Sequence, residues 1–126
     1  MTYVLDASAL IAAILEEPGA EYVRSILANS VMSSVNMVEV GSRLIDIGYA
    51  PELALRQLAD LGAEVIPFDQ ELAKVAASLR GVTRAAGLSL ADRACLALAM
   101  QEKATAVTAD RAWTRVSLPC PIELIR

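Results

Sequence analysis

The stretch Tyr3-Val4-Leu5-Asp6-Ala7-Ser8-Ala9-Leu10 decides the fold. Tyr3, Val4 and Leu5 read as a short buried strand, and Asp6 stands where the apolar run stops. Ser8 can cap the helix that carries Ala9, Leu10 and Ile11. An acid at the C-terminal end of a buried strand, just before a helix, is in the usual place for chemistry in an open α/β sheet. One carboxylate makes no site, so the question is which others the chain can bring to it.

Outward from this stretch, strands alternate with helices. A short helix over 8–15 stops before Pro18-Gly19, and a second runs from Ala20 to Ala28. Ser30–Ser33 reads as a short strand or connector. Ser34 can cap a helix to Gly48 with Met37, Val40, Leu44 and Ile47 on its buried stripe, and Pro51 opens a helix that ends at Gly62. Glu64–Phe68 is a second clear strand, and Asp69 caps a helix with Leu72, Val75, Ala76 and Leu79 at helical spacing. Residues 81–88 read as a loop. Ser89 caps a helix from Leu90 to about Lys103, Thr105–Thr108 is a strand leading to Asp110, and Pro121–Ile125 is a short last strand. This alternation predicts a three-layer α/β/α sandwich with a mainly parallel central sheet, one domain over residues 1–126.

Composition narrows the chemistry. Of 126 residues 56% are hydrophobic, above the usual ~45–50%, yet no apolar run approaches the ~18 residues of a membrane span. No basic, apolar leader opens the chain, so a cytoplasmic protein without a membrane partner is expected. Cys95 and Cys120 have no neighbour at metal spacing and read as reduced thiols. There is no histidine, which excludes Ser-His-Asp and Cys-His catalysis and zinc–histidine sites. The net charge of −4 argues against unspecific nucleic-acid binding. Its distribution does not: residues 1–79 carry −7 and residues 80–115 carry +3.

Four acids can converge. Asp6 and Asp110 follow apolar strands, Asp92 lies in the first turn of its helix, and Glu39 shares a stripe with Asn36 and Arg43 at i, i+3 and i+7. Gathered carboxylates repel and are driven toward protonation unless a cation joins them. Hard oxygen donors without histidine suit Mg²⁺ or Mn²⁺. Each acid also has a plain structural role open to it. Asp92 with Ser89 fits a capping box, Glu39 can pair with Arg43, Asp110 can cap the next turn and Asp6 can start a helix. Spacing alone does not choose.

The motifs Val4-Leu5-Asp6-Ala7-Ser8-Ala9-Leu10, Val38-Glu39-Val40, Leu88-Ser89-Leu90-Ala91-Asp92-Arg93-Ala94-Cys95-Leu96-Ala97-Leu98-Ala99 and Val107-Thr108-Ala109-Asp110-Arg111-Ala112-Trp113 together resemble the PIN-domain family. They are most similar to the toxin ribonucleases of VapBC toxin–antitoxin modules. Ala91 departs from the Gly that the family often has before this Asp. The resemblance implies a PIN-like fold in which Asp6, Glu39, Asp92 and Asp110 hold Mg²⁺ or Mn²⁺ and Ser8 and Thr108 support the cluster or its water. It implies endonucleolytic hydrolysis of RNA by in-line attack of water, leaving a 5′-phosphate and a 3′-hydroxyl. It also implies a homodimer and a cognate VapB-type antitoxin, with Ile11, Ile14 and Leu15 as partner surface; ordinary core is the other reading of these three. Arg84, Arg93, Arg111 and Arg115 are the candidate phosphate contacts of the basic region; solvated surface or ion pairing is the other reading of them. Trp113 either stacks on a base or packs against the sheet. The alternatives are a non-catalytic PIN-like binding module, and phosphoaspartyl chemistry at Asp6, which lacks the neighbouring acid and strand-end Lys it would need.

Overall fold

The computed structural model describes residues 1–126. Five strands form one parallel sheet: β1 (Tyr3–Leu5), β2 (Ser30–Ser33), β3 (Glu64–Ile66), β4 (Thr105–Thr108) and β5 (Ile122–Leu124), in the spatial order β3-β2-β1-β4-β5. The chain builds outward from β1 to β3, then returns to the other side of β1 for β4. The order therefore reverses between β1 and β4, and the crevice beyond their C-terminal ends is where such sheets bind ligands.

Side-chain alternation along the strands builds two cores. Val4, Val31 and Ala106 face one side of the sheet, and Leu5, Met32 and Val107 face the other. The first core is covered by α5 (Gln70–Ser78) and α7 (Leu90–Glu102) through Leu72, Ala76 and the run Cys95–Ala99. The second is covered by α1 (Ala7–Leu15), α2 (Ala20–Ile26), α3 (Ser34–Asp46) and α4 (Pro51–Leu61). The three predicted layers are present. No helix is long and apolar enough to cross a membrane.

Several local expectations are corrected. Asp6, not Ser8, caps α1, because the helix begins at Ala7 and the Asp6 side chain accepts from Ala9 N at 2.9 Å. Ser33 caps α3 by accepting from Val35 N, while the Ser34 hydroxyl accepts from Phe68 N and ties down the chain after β3. Residues 81–88 are no open loop: α6 (Arg80–Thr83) and a 3₁₀ turn over Arg84–Ala86 fill most of the segment, with Thr83 buried and its hydroxyl donating to Leu79 O. The helix from Ala20 ends at Ile26 and passes into a 3₁₀ turn over Leu27–Asn29. Ile11 is core, and Ile14 and Leu15 pack against that core, so α1 offers little apolar surface. Exposed apolar residues gather instead on α3 and α4, where Val38 is 68% and Leu55 is 50% exposed, with Val65, Val82 and Leu90 exposed singly on other elements.

Trp113 packs in the first core at 1% exposure and is not placed to stack on a base. Its indole Nε1 has no hydrogen-bond partner. Trp113→Ala is expected to cost about 3–5 kcal/mol in urea unfolding. Trp113→Phe keeps part of the volume and gives up no hydrogen bond, so it should cost well under half as much. Equal losses for the two variants would refute this account of the Trp113 environment.

Candidate functional site

Asp6 is fixed from three sides at the switch between β1 and β4. Its backbone N–H donates to Val107 O, extending the β1–β4 pairing by one residue. Its Oδ1 accepts from Ala9 N and from Ser8 Oγ at 2.7 Å, and its Oδ2 accepts from Thr108 Oγ1. Ser8 Oγ in turn accepts from Ala109 N at 2.8 Å, and Thr108 Oγ1 from Asp110 N at 3.0 Å. The two hydroxyls thus lock the ends of both strands around one carboxylate that is 4% exposed.

The other acids reach the same crevice from separate elements, and each is held by its own backbone or neighbour. Asp92 forms the capping box with Ser89: its Oδ2 accepts from Ser89 N at 2.8 Å, and its N–H donates to Ser89 Oγ. Asp110 caps a 3₁₀ turn over Arg111–Arg115 by accepting from Ala112 N at Oδ1. Glu39 Oε1 accepts from Asn36 Nδ2 at 3.3 Å, and the same amide donates to Ala91 O in the first turn of α7. The capping roles of Asp92 and Asp110 are real. They place the acids at the pocket as well: Asp6, Ala7, Ser8, Glu39, Arg43, Ser89, Asp92 and Asp110 line one cavity of about 240 Å³. The i, i+4 pair between Glu39 and Arg43 does not form.

Burial pushes the Asp6 carboxyl up to about 6, against the hydrogen bonds from Thr108, Ser8 and Ala9 that pull it down; the Asp92 charge adds a smaller upward push. Asp92 is also raised, first by burial and further by the nearby Asp110 charge. These are carboxylates short of positive charge. Asp92 Oδ1, Asp110 Oδ2 and Glu39 Oε2 have no protein partner. An all-oxygen donor set with spare lone pairs, in a crevice that penalises bare negative charge, fits a hard divalent cation. No three of the acids stand gathered at coordinating distance; each leans back on its own hydrogen bond.

Two further residues belong to this wall. Asn36 is 1% exposed and couples Glu39 to α7, and Arg43 lines the pocket directly. The stripe of Asn36, Glu39 and Arg43 on α3 was their sequence signal. The basic residues are set further out. Arg84, Arg111 and Arg115 are exposed on two 3₁₀ turns that pack on each other. Arg93 differs, because its Nη1 donates to Ala76 O on α5 and its Nε is buried, so its side chain serves the α5–α7 packing. Cys95 and Cys120 are free thiols outside the pocket.

A family model described as PIN domain matches residues 3–118. The chain belongs to the PIN domain family. PIN domains are in general metal-dependent nucleases. No curated protein matches the chain. Among solved structures it is similar in fold to a DNA-bound VapBC from Salmonella typhimurium, at TM-score 0.78 and 20% identity, covering 100% of this chain and 99% of that one. It is likewise similar to VapBC2 from Rickettsia felis bound to a promoter DNA fragment, at TM-score 0.75, 22% identity and 98% coverage of both chains. VapBC-5 from Mycobacterium tuberculosis matches at TM-score 0.62 and 22% identity, covering 99% of this chain and 98% of that one.

The Asp6 environment sets a pH dependence for this PIN domain. With a folded-state value of about 6 against an ordinary 3.8, the protonated carboxyl stabilises the metal-free fold. That contribution is full below about 3.8 and is lost as pH rises through about 6. Asp6→Asn keeps the acceptor for Ala9 N without the charge. In chelator at pH 8 the variant is expected to melt several degrees above the parent, with the gap closing toward pH 4. Mg²⁺ should raise the parent's melting temperature and leave the variant's unchanged. A variant that melts below the parent at pH 8 would refute the burial argument.

Proposed function

We propose that this PIN domain is the toxin of a VapBC-type toxin–antitoxin module and a metal-dependent endoribonuclease acting in the cytoplasm. The observation that carries the reading is the meeting of Asp6, Glu39, Asp92 and Asp110, from four separate segments, in one pocket without histidine. Family membership and the fold shared with solved VapBC proteins support it.

Asp6, Glu39, Asp92 and Asp110 would hold Mg²⁺ or Mn²⁺. Such an ion supplies a water of lowered pKa and offsets the charge on the phosphoryl oxygens. Ser8 and Thr108 keep the Asp6 oxygens fixed, so its carboxylate needs no reorganisation. The uncommitted oxygens of Asp92 and Asp110 can orient the attacking water and take its proton. Attack at phosphorus in line with the departing 3′-oxygen breaks that P–O bond and leaves a 5′-phosphate and a 3′-hydroxyl. Arg84, Arg111 and Arg115, exposed on their two 3₁₀ turns, would contact the RNA backbone. A homodimer and a cognate VapB-type antitoxin complete the assembly. The antitoxin's seat is the apolar hollow on α3 and α4 lined by Met37, Val38, Ile45 and Leu55. That hollow shares α3 with Glu39 and Arg43, so an apolar segment lying there can carry a basic residue to the carboxylates.

The test is cleavage of a total-RNA pool by the purified, antitoxin-free protein in Mg²⁺, in Mn²⁺ and in chelator, with product ends mapped. Discrete metal-dependent cuts bearing 5′-phosphates are expected. Asp6→Ala and Asp92→Ala should each lose more than about a hundredfold, the upper end for losing a residue that only supports a ligand, and Thr108→Val about 10–100-fold. Full activity in either alanine variant would sink the mechanism. Metal binding with no cleavage of any RNA would favour the non-catalytic binding module.

A further inference from the structure

We infer that Arg43 is the residue that receives a substrate phosphate at the α3 wall of the pocket; this rests on reading the pocket as an RNA-cleaving site. Glu39 and Arg43 stand at i, i+4 with the acid N-terminal, the arrangement that normally gives a helix ion pair. Three ion pairs form in the protein, Arg24–Glu16, Lys74–Glu71 and Arg126–Glu17, and Arg43 is in none of them. The reason is Asn36. Its buried amide takes Glu39 Oε1 and is itself anchored on Ala91 O, so the Glu39 carboxylate is held toward the start of α3, away from Arg43. The Arg43 guanidinium also makes no hydrogen bond to any other group.

An arginine that merely balanced the acids would be paired with one of them. This one is exposed, without a partner, and the sole cation among the pocket-lining residues. A phosphodiester entering a crevice of four carboxylates needs positive charge from the protein as well as from an ion. A planar guanidinium presents a fork of donors that matches two phosphate oxygens. Because the side chain is held by nothing else, it can turn to the phosphate without giving up a bond. The basic turns carrying Arg84, Arg111 and Arg115 belong to other elements, so Arg43 supplies the cation on the α3 side.

The experiment measures binding of a short, randomised-sequence, single-stranded RNA to the whole protein across a salt series, with Ca²⁺ replacing Mg²⁺ to hold back cleavage. Arg43→Gln is expected to weaken binding at low salt about tenfold, the low end for hydrogen bonds to charged groups. It should also flatten the slope of log affinity against log salt by about 0.7, the value of one phosphate contact on a single strand. Arg43→Lys should restore the slope and only part of the affinity, since it keeps the charge and loses the fork. Mg²⁺ affinity measured by calorimetry without RNA should match the parent in both variants. Parent-like affinity and slope in Arg43→Gln would overturn the inference while leaving the ribonuclease reading intact. A changed Mg²⁺ affinity with an unchanged slope would also overturn it, and make Arg43 a counter-ion of the acids. Parent protein that binds no RNA would overturn the ribonuclease reading, and this inference with it.

Discussion

The structure turns on the burial of one carboxylate. Asp6 sits where β1 ends and α1 begins, in a place that removes most of its hydration and raises its affinity for a proton. The fold compensates with three donors: Ala9 N, Ser8 Oγ and Thr108 Oγ1. They hold the group without supplying a positive charge. The strand switch, the helix cap and the demand for a cation all meet at this residue. Backbone pairing of β1 with β4 sets the distance between Asp6 and Thr108, and through Thr108 it reaches Asp110.

Around that centre the chain uses ordinary local devices to aim the other acids. A capping box is a means of ending a helix, and here it also directs Asp92 to the crevice. A 3₁₀ cap does the same for Asp110. Because each acid spends one oxygen on its own turn, its position follows from local folding, and the other oxygen is left for a ligand. The acids are therefore separated by backbone geometry, which lowers their mutual repulsion in the absence of an ion.

Much of this was legible in the sequence. The runs at 3–5 and 105–108 are short, apolar or β-branched, and lead to Asp6 at once and to Asp110 after one residue, while Val65–Phe68 leads to the capping Asp69, so strand positions and the convergence of Asp6 with Asp110 could be read directly. The choice between a capping role and a site role for Asp92 could not be made from spacing, because both roles need the same residue at the same place. Asp6 and Ser8 are equally good N-cap types two residues apart, so the sequence alone does not say which one caps α1. Segment 81–88 looked like loop on the strength of two glycines. Gly81 instead lies within a helical turn, and the buried Thr83 hydroxyl bonds back to Leu79 O. Of the two readings open for Ile11, Ile14 and Leu15, core holds, because the small residues Ala9, Ala12 and Ala13 let α1 sink against the sheet and take Ile11 with it. Such depths depend on packing between distant elements, which no local pattern records.

The hydrogen bond from Thr108 to Asp6 joins positions 102 residues apart in the chain. The first strand made is the central one, and its neighbour on the site side is among the last. While the polypeptide is still growing, Asp6 has only its local partners, Ala9 N and the Ser8 hydroxyl, both on Oδ1. Ser8 and Asp6 wait for Thr108 and Ala109, and the fourth acid follows only two residues later. A partly synthesised chain thus carries an incomplete donor set, and the pocket closes late, when β4 slots in beside β1. Assembly order in this topology delays the appearance of the complete pocket until nearly the whole domain exists.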